Sequence, residues 1–176
     1  MQNNSNTYEP AEDTFFLEDY IKNQKGQCAL EIGTGSGYLT KILEKNFDFV
    51  VGTDIDFSAI SRQTAKIQNG ICCTGADALT KQFDFIVCNL PYLPSEEIED
   101  RTVDGGKEGL EIPVQIIKSA KYRLKSGGKM LYLTSTLANY KKLLEQTELL
   151  GFDVKILAKK KLFFEELLVV QADLLV

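Results

Sequence analysis

With 176 residues, 44% of them apolar, the chain can bury a core of its own, and a single domain over residues 1–176 is expected. Its 20 basic and 25 acidic residues leave a net charge of −5 and no basic block to neutralise phosphates, which makes nucleic acid a poor partner. There is no His, the four cysteines make no CxxC spacing, and no apolar run approaches the roughly 18 residues of a membrane span, so the usual zinc sites, a disulfide framework and a membrane helix are all disfavoured.

The opening Met1–Asn6 is polar and uncharged, and a disordered tail over 1–7 of a cytoplasmic protein is expected. Tyr8-Glu9-Pro10-Ala11-Glu12-Asp13-Thr14 leads into a helix, with Asp13 or Thr14 as its cap and Gly26 as its stop. A short buried strand, Cys28–Ile32, runs into Gly33-Thr34-Gly35-Ser36-Gly37 and a helix from Tyr38 to about Lys45. The strand Phe49–Thr53 ends in Asp54 and precedes a helix expected over Phe57–Gln68. Ile71-Cys72-Cys73 reads as a third strand leading to Gly75-Ala76-Asp77-Ala78, and Phe83–Cys88 as a fourth. All four cysteines lie in or beside these apolar runs and read as buried, reduced thiols. After Asn89-Leu90-Pro91-Tyr92 comes a long acidic and glycine-containing loop, Ser95 to about Glu111, of the length expected for a functional lid or a disordered segment. A helix over Ile112–Leu124, a strand over Lys129–Leu133, a helix over Leu137–Leu150 and two strands, Phe152–Leu157 and Glu165–Ala172, complete the chain. Lys159-Lys160-Lys161 is read as the solvated turn between those two strands. Strands alternating with helices predict an α/β fold: a mostly parallel sheet of seven strands, helices on both faces and an antiparallel hairpin at one edge.

Four features carry chemistry. Asn89 follows a buried strand, at the edge where open α/β sheets bind ligands, and Pro91 restricts the direction of the Leu90 carbonyl. The Asn89 side-chain oxygen and the Leu90 carbonyl form a pair of acceptors for a planar NH2 group, on which Tyr92 can stack. The glycine loop lets a ligand approach the backbone at a helix N-terminus, but Tyr38 breaks the GxGxxG spacing of a dinucleotide site, and Glu31 would repel a pyrophosphate. Asp54 stands where a ribose diol is read, and Asp77 can accept from an adenine amino group. Glu31, Asp54 and Asp77 thus follow or end three successive strands and describe a pocket for a nucleoside carrying positive charge.

On Glu31-Ile32-Gly33-Thr34-Gly35-Ser36-Gly37, Asp54, Asp77 and Asn89-Leu90-Pro91-Tyr92, the chain resembles the HemK-type class I methyltransferases. Tyr8–Thr14 and Gly105-Gly106-Lys107-Glu108-Gly109 are similar to the archaeal and eukaryotic branch, which methylates the glutamine of the Gly-Gly-Gln motif in class I release factors. The resemblance spans nearly the whole chain and implies the Rossmann-like class I methyltransferase fold with S-adenosylmethionine as cofactor. It implies a catalytic segment Asn89, Leu90, Pro91 and Tyr92, and a cofactor site of Thr14, Glu31, Gly33, Thr34, Gly35, Gly37, Asp54, Ile55, Asp77, Ala78 and Asn89. It also implies a small zinc-binding activator protein, for which the apolar edge strand Ile71–Cys73 offers a pairing surface. Two positions depart from the pattern: Leu90 replaces the first Pro of Asn-Pro-Pro-Tyr, and Val103 stands where the branch often has Trp. Asn-Leu-Pro-Tyr also occurs in ribosomal RNA adenine dimethylases, so an N6-adenine methyltransferase is the competing enzyme. A methyltransferase-like binding subunit without turnover is the non-enzymatic alternative.

Overall fold

Alternate burial along the strands separates two cores. In β1 (Gly26–Ile32), Leu30 and Ile32 enter one hydrophobic cluster and Ala29 the other. β4 (Phe83–Asn89) divides Ile86 and Cys88 from Phe85 and Val87, and β7 (Leu124–Ser135) divides Met130 and Tyr132 from Leu131 and Leu133. This two-residue period, with both faces apolar, is what a sheet covered on both sides requires. Leu17 and Ile21 of α1 (Glu12–Ile21) and Leu39 and Ile42 of α2 (Tyr38–Leu43) cover one face. Ile117 of α4 (Glu111–Lys121) and Leu143 of α5 (Tyr140–Leu149) cover the other. Fully burying one such side chain contributes about 1.5–3 kcal/mol.

The computed structural model describes residues 9–63 and 65–175, so Tyr8 and the tail expected over 1–7 lie outside the described residues. The remaining elements are β2 (Phe47–Asp54), α3 (Phe57–Ser61), β3 (Gly70–Cys72), β5 (Leu93–Pro94), β6 (Asp104–Gly106), a 3-10 turn (Lys107–Gly109), β8 (Phe152–Lys161) and β9 (Glu166–Leu174). Seven strands form one sheet in the order β3-β2-β1-β4-β7-β9-β8. The first five run parallel, and β9 is antiparallel to both of its neighbours. The expected α/β architecture is therefore present, and β3 lies at the sheet edge opposite β8.

Several local expectations need correction. Neither Asp13 nor Thr14 caps α1; the cap position is Ala11, two residues before Asp13, without a side-chain cap, and the helix ends at Ile21 well before Gly26. The helix expected over Phe57–Gln68 stops at Ser61. Beyond it, Ala65 donates its N–H to the Ser36 carbonyl at 3.1 Å and Asn69 its side-chain amide to the Val50 carbonyl at 2.8 Å, so this stretch is spent bracing the glycine loop and β2. The loop after Ser95 is shorter than its sequence suggests, because β5 pairs with β6 and the 3-10 turn follows. Lys159, Lys160 and Lys161 belong to β8, not to a turn. Lys159 lies over the Tyr140 ring and Lys160 over the Phe16 ring, which places successive lysines on opposite faces of an edge strand, where charge discourages further pairing. Cys28 and Cys88 are buried as expected, but Cys72 is exposed and Cys73 half-buried because β3 is an edge.

Candidate active site

The carboxyl ends of β1 to β4 open onto one cleft of about 1320 Å³. The glycine loop forms its floor. Gly33 and Thr34 both donate their N–H to the Thr53 carbonyl, at 2.8 and 2.9 Å, tying the end of β1 to β2. Gly33 has φ +76°, and a Cβ there would meet nothing within 4 Å, so the backbone conformation favours glycine while leaving the space beside it open. Gly37 has another task. A Cβ on it would lie 2.6 Å from the Ala65 carbonyl oxygen, and it does not line the cleft.

Two carboxyl groups face this floor. Asp54 accepts from the Gly35 N–H at 2.8 Å and from the Asp56 N–H at 2.9 Å; burial raises its pKa in spite of those bonds. Glu31 is only 3% exposed, and burial pushes its pKa up to about 8, opposed by hydrogen bonds from the hydroxyls of Thr40 and Thr34. A carboxyl held near neutrality in an apolar wall will ionise for a cation and disfavour an anion.

At the far end, Asn89 donates its Nδ2 to Asp13 Oδ2 at 2.9 Å. An ionised carboxylate can only accept, so this contact fixes the orientation of the Asn89 amide. The opposite atom, Asn89 Oδ1, is buried and has no hydrogen-bond partner among the described residues. Pro91 is buried, and Tyr92 packs against the cluster beneath α1. Burial, reinforced by the carboxylates of Glu165 and Asp13, raises the Tyr92 hydroxyl pKa well above its ordinary value. Leu90 is 2% exposed, with its side chain in the core, and its N–H donates to the Leu133 carbonyl at 3.2 Å. Proline has no N–H to make that bond, which gives the departure at position 90 a structural reason. The segment is braced from behind: a Cβ at Gly105 would lie 2.6 Å from the Pro91 carbonyl oxygen, and one at Gly109 would overlap the Tyr92 carbonyl oxygen.

Thr14, Glu31, Gly33, Thr34, Gly35, Asp54, Ile55, Asp77, Asn89, Leu90, Pro91 and Tyr92 all line the cleft, whereas Gly37 and Ala78 do not. Ala78 sits on the exposed turn after β3. Among the lining residues that sequence reasoning did not assign to the site, Asp13 and Glu165 bear on the chemistry at Asn89 and Tyr92. Asp13 had been read as a helix cap, and its side chain instead reaches Asn89, 76 positions away. Glu165 arrives through the β8–β9 hairpin, held by the Ser135 hydroxyl, and no local pattern announces it.

Residues 12–163 match the methyltransferase small domain family. The chain belongs to that family. A Methanocaldococcus jannaschii relative named as a protein N5-glutamine methyltransferase is 36% identical, over 94% of this chain and 90% of its own length. A ribosomal RNA small subunit methyltransferase A of Mycoplasma mycoides is 33% identical, but over 49% of this chain and 37% of its own. Among solved structures, the E. cuniculi Mtq2-Trm112 complex, responsible for methylation of the eRF1 termination factor, superposes with a TM-score of 0.81 at 25% identity, covering 95% of this chain and 98% of the other. By sequence, this member of the methyltransferase small domain family thus matches the relative named for glutamine methylation over nearly its full length, and the Mycoplasma RNA methyltransferase over about half.

Proposed function

We propose that the chain is an S-adenosylmethionine-dependent methyltransferase acting on a protein glutamine side-chain amide, that of the Gly-Gly-Gln motif of a class I release factor. The observation that carries this reading is the buried Asn89 Oδ1, without a hydrogen-bond partner among the described residues and presented by an amide that Asp13 holds one way round. The cofactor supplies an electrophilic methyl group on a sulfonium. Glu31, Gly33, Thr34, Gly35, Asp54, Ile55, Asp77, Thr14 and Asn89 are assigned to holding it, with Asp54 for the ribose diol, Asp77 for the adenine amino group and Glu31 for positive charge. Gly37 supports the loop from behind, and Ala78 is withdrawn from direct contact.

On the acceptor side, the Asn89 Oδ1 and the Leu90 carbonyl take the two N–H hydrogens of the amide, while Tyr92 stacks on its plane and Pro91 keeps the turn stiff. An amide lone pair is delocalised and weakly nucleophilic, so acceptors aimed at the N–H bonds favour charge building on nitrogen. The remaining contribution is position, and the proton leaves the nitrogen to water afterwards. No histidine is needed.

The E. cuniculi neighbour is a two-protein complex, which supports a small partner protein here as well. We assign a zinc-binding activator to the outer edge of β3, with which no described strand pairs. The reading places the reaction in the cytoplasm; among the described residues no helix is long and apolar enough to cross a membrane.

The RNA-adenine reading keeps some support from Asn-Leu-Pro-Tyr and from the partial Mycoplasma similarity. A net charge of −5 opposes it, since RNA binding requires phosphate neutralisation. The non-catalytic reading rests on Leu90, for which the Leu90–Leu133 hydrogen bond offers a structural role, and the relatives named as methyltransferases favour an enzyme. The test is Asn89→Ala. Turnover should fall at least about a hundredfold while S-adenosylmethionine still binds by calorimetry; turnover equal to wild type would refute the assignment.

A further inference from the structure

The turn Leu162–Glu165 joins β8 to β9 and carries the two most exposed large hydrophobic side chains among the described residues, Phe163 at 90% and Phe164 at 85%. Their rings meet edge to face with centroids 4.6 Å apart. Short turns favour Gly, Asn, Asp and Ser, so an aromatic pair here is not explained by turn formation. The flanking residues point to its use. Leu162 packs against the same cluster as Tyr92, and Glu165 lines the cleft, held by the Ser135 hydroxyl and facing Tyr92. The sheet register agrees: Asn89 pairs with Leu133 of β7, and Ser135 at the end of β7 pairs with Leu167 of β9. The turn therefore lies at the sheet edge from which Asn89 projects, and its apolar tip, outside the cleft itself, directly precedes Glu165, which lines the acceptor end.

We propose that this tip docks the polypeptide that carries the acceptor amide, an apolar recess of that protein seating Phe163 and Phe164 while its amide-bearing loop lies against Asn89 and Tyr92. The proposal rests on the functional reading above. Two phenylalanines bury about 150–250 Å² each, well below the about 1,200–2,000 Å² of a stable interface, so the pair suits an anchor beside a larger contact better than a self-sufficient dimer patch. The cleft mouth provides that contact. The β3 edge is on the far side of the sheet, which leaves the tip clear of the partner assigned there.

The experiment compares wild type, F163S/F164S and F163L/F164L on a full-length class I release factor and on a short Gly-Gly-Gln peptide. For F163S/F164S, kcat/KM on the protein should fall about tenfold or more, with peptide methylation, cofactor affinity and circular dichroism unchanged, and F163L/F164L should recover most of the loss. Protein kcat/KM within about twofold of wild type overturns the proposal, and so does an equal loss on protein and peptide, which would mean a disturbed active site. Loss of self-association without loss of kcat/KM overturns it in favour of a second copy of the chain. If wild type methylates neither acceptor, the functional reading falls and takes this proposal with it, an outcome separate from a wild type that works beside an unaffected variant.

Discussion

In the proposed mechanism Asn89 serves as an acceptor only while its amide is held one way round, and its hydrogen bond to Asp13 supplies that constraint. Asp13→Ala leaves the Asn89 amide free to turn Nδ2 towards the substrate, where two sets of N–H groups would oppose each other. The expected result is a fall in kcat of about tenfold to a hundredfold with the cofactor Kd little changed; an unchanged kcat would remove Asp13 from the site. Glu31 makes a pH-dependent prediction. Its carboxyl is raised from an ordinary 4.5 to about 8, so between those values the folded protein keeps a proton that the unfolded chain has released. Its contribution to stability is full below about pH 4.5 and declines as pH rises towards 8. Without cofactor, the Tm of wild type should therefore drop relative to that of Glu31→Gln across this window. Binding a cation reverses the preference, releasing the proton, so cofactor affinity should climb by up to about tenfold per pH unit below pH 8 and flatten in Glu31→Gln. The same slope in both proteins would contradict the role given to Glu31.

At the scale of elements, β1, β2 and β4 are legible because each holds a short apolar run, and the sites follow because Asp54 and Asn89 end β2 and β4 and Glu31 stands one residue from the end of β1. What sequence could not supply were contacts between distant segments. Phe57–Gln68 has helix-compatible residues throughout, yet only Ala59 of α3 is buried, and the segment beyond Ser61 exchanges helical bonds for hydrogen bonds to the glycine loop and β2. The lysines of β8 were taken for a turn because charge is a poor signal on an edge strand. Asp13 and Glu165 are hidden for a similar reason: one reaches the end of β4 from α1, the other arrives from a hairpin. β3 gives the element-scale prediction. Cys73 donates its N–H to the Asp54 carbonyl at 2.8 Å, so the next residue back, Cys72, turns its N–H to the free edge. Cys72→Pro removes that donor without touching the ladder to β2, and should abolish co-purification of a small partner protein while cofactor binding persists. Retained co-purification would exclude strand pairing at this edge.

In the whole molecule, the sheet separates three tasks. The carboxyl edge holds the cleft, β3 at one side is the edge proposed for a partner, and the β8–β9 turn at the other is the tip proposed to dock the acceptor protein. The acceptor geometry at Asn89 admits any planar NH2 group, so the choice between a glutamine amide and an adenine falls to the molecular surface. With a net charge of −5, and with its densest lysine run on β8 partly occupied by the 3.2 Å ion pair of Lys159 with Glu166, that surface is poorly furnished for a polyanion. The direct test is mass spectrometry of a class I release factor and of ribosomal RNA, each incubated with the protein and S-adenosylmethionine. One added methyl group on the glutamine of the Gly-Gly-Gln motif, with the RNA unmodified, is the predicted result; methyl groups on adenine with the glutamine untouched would contradict it.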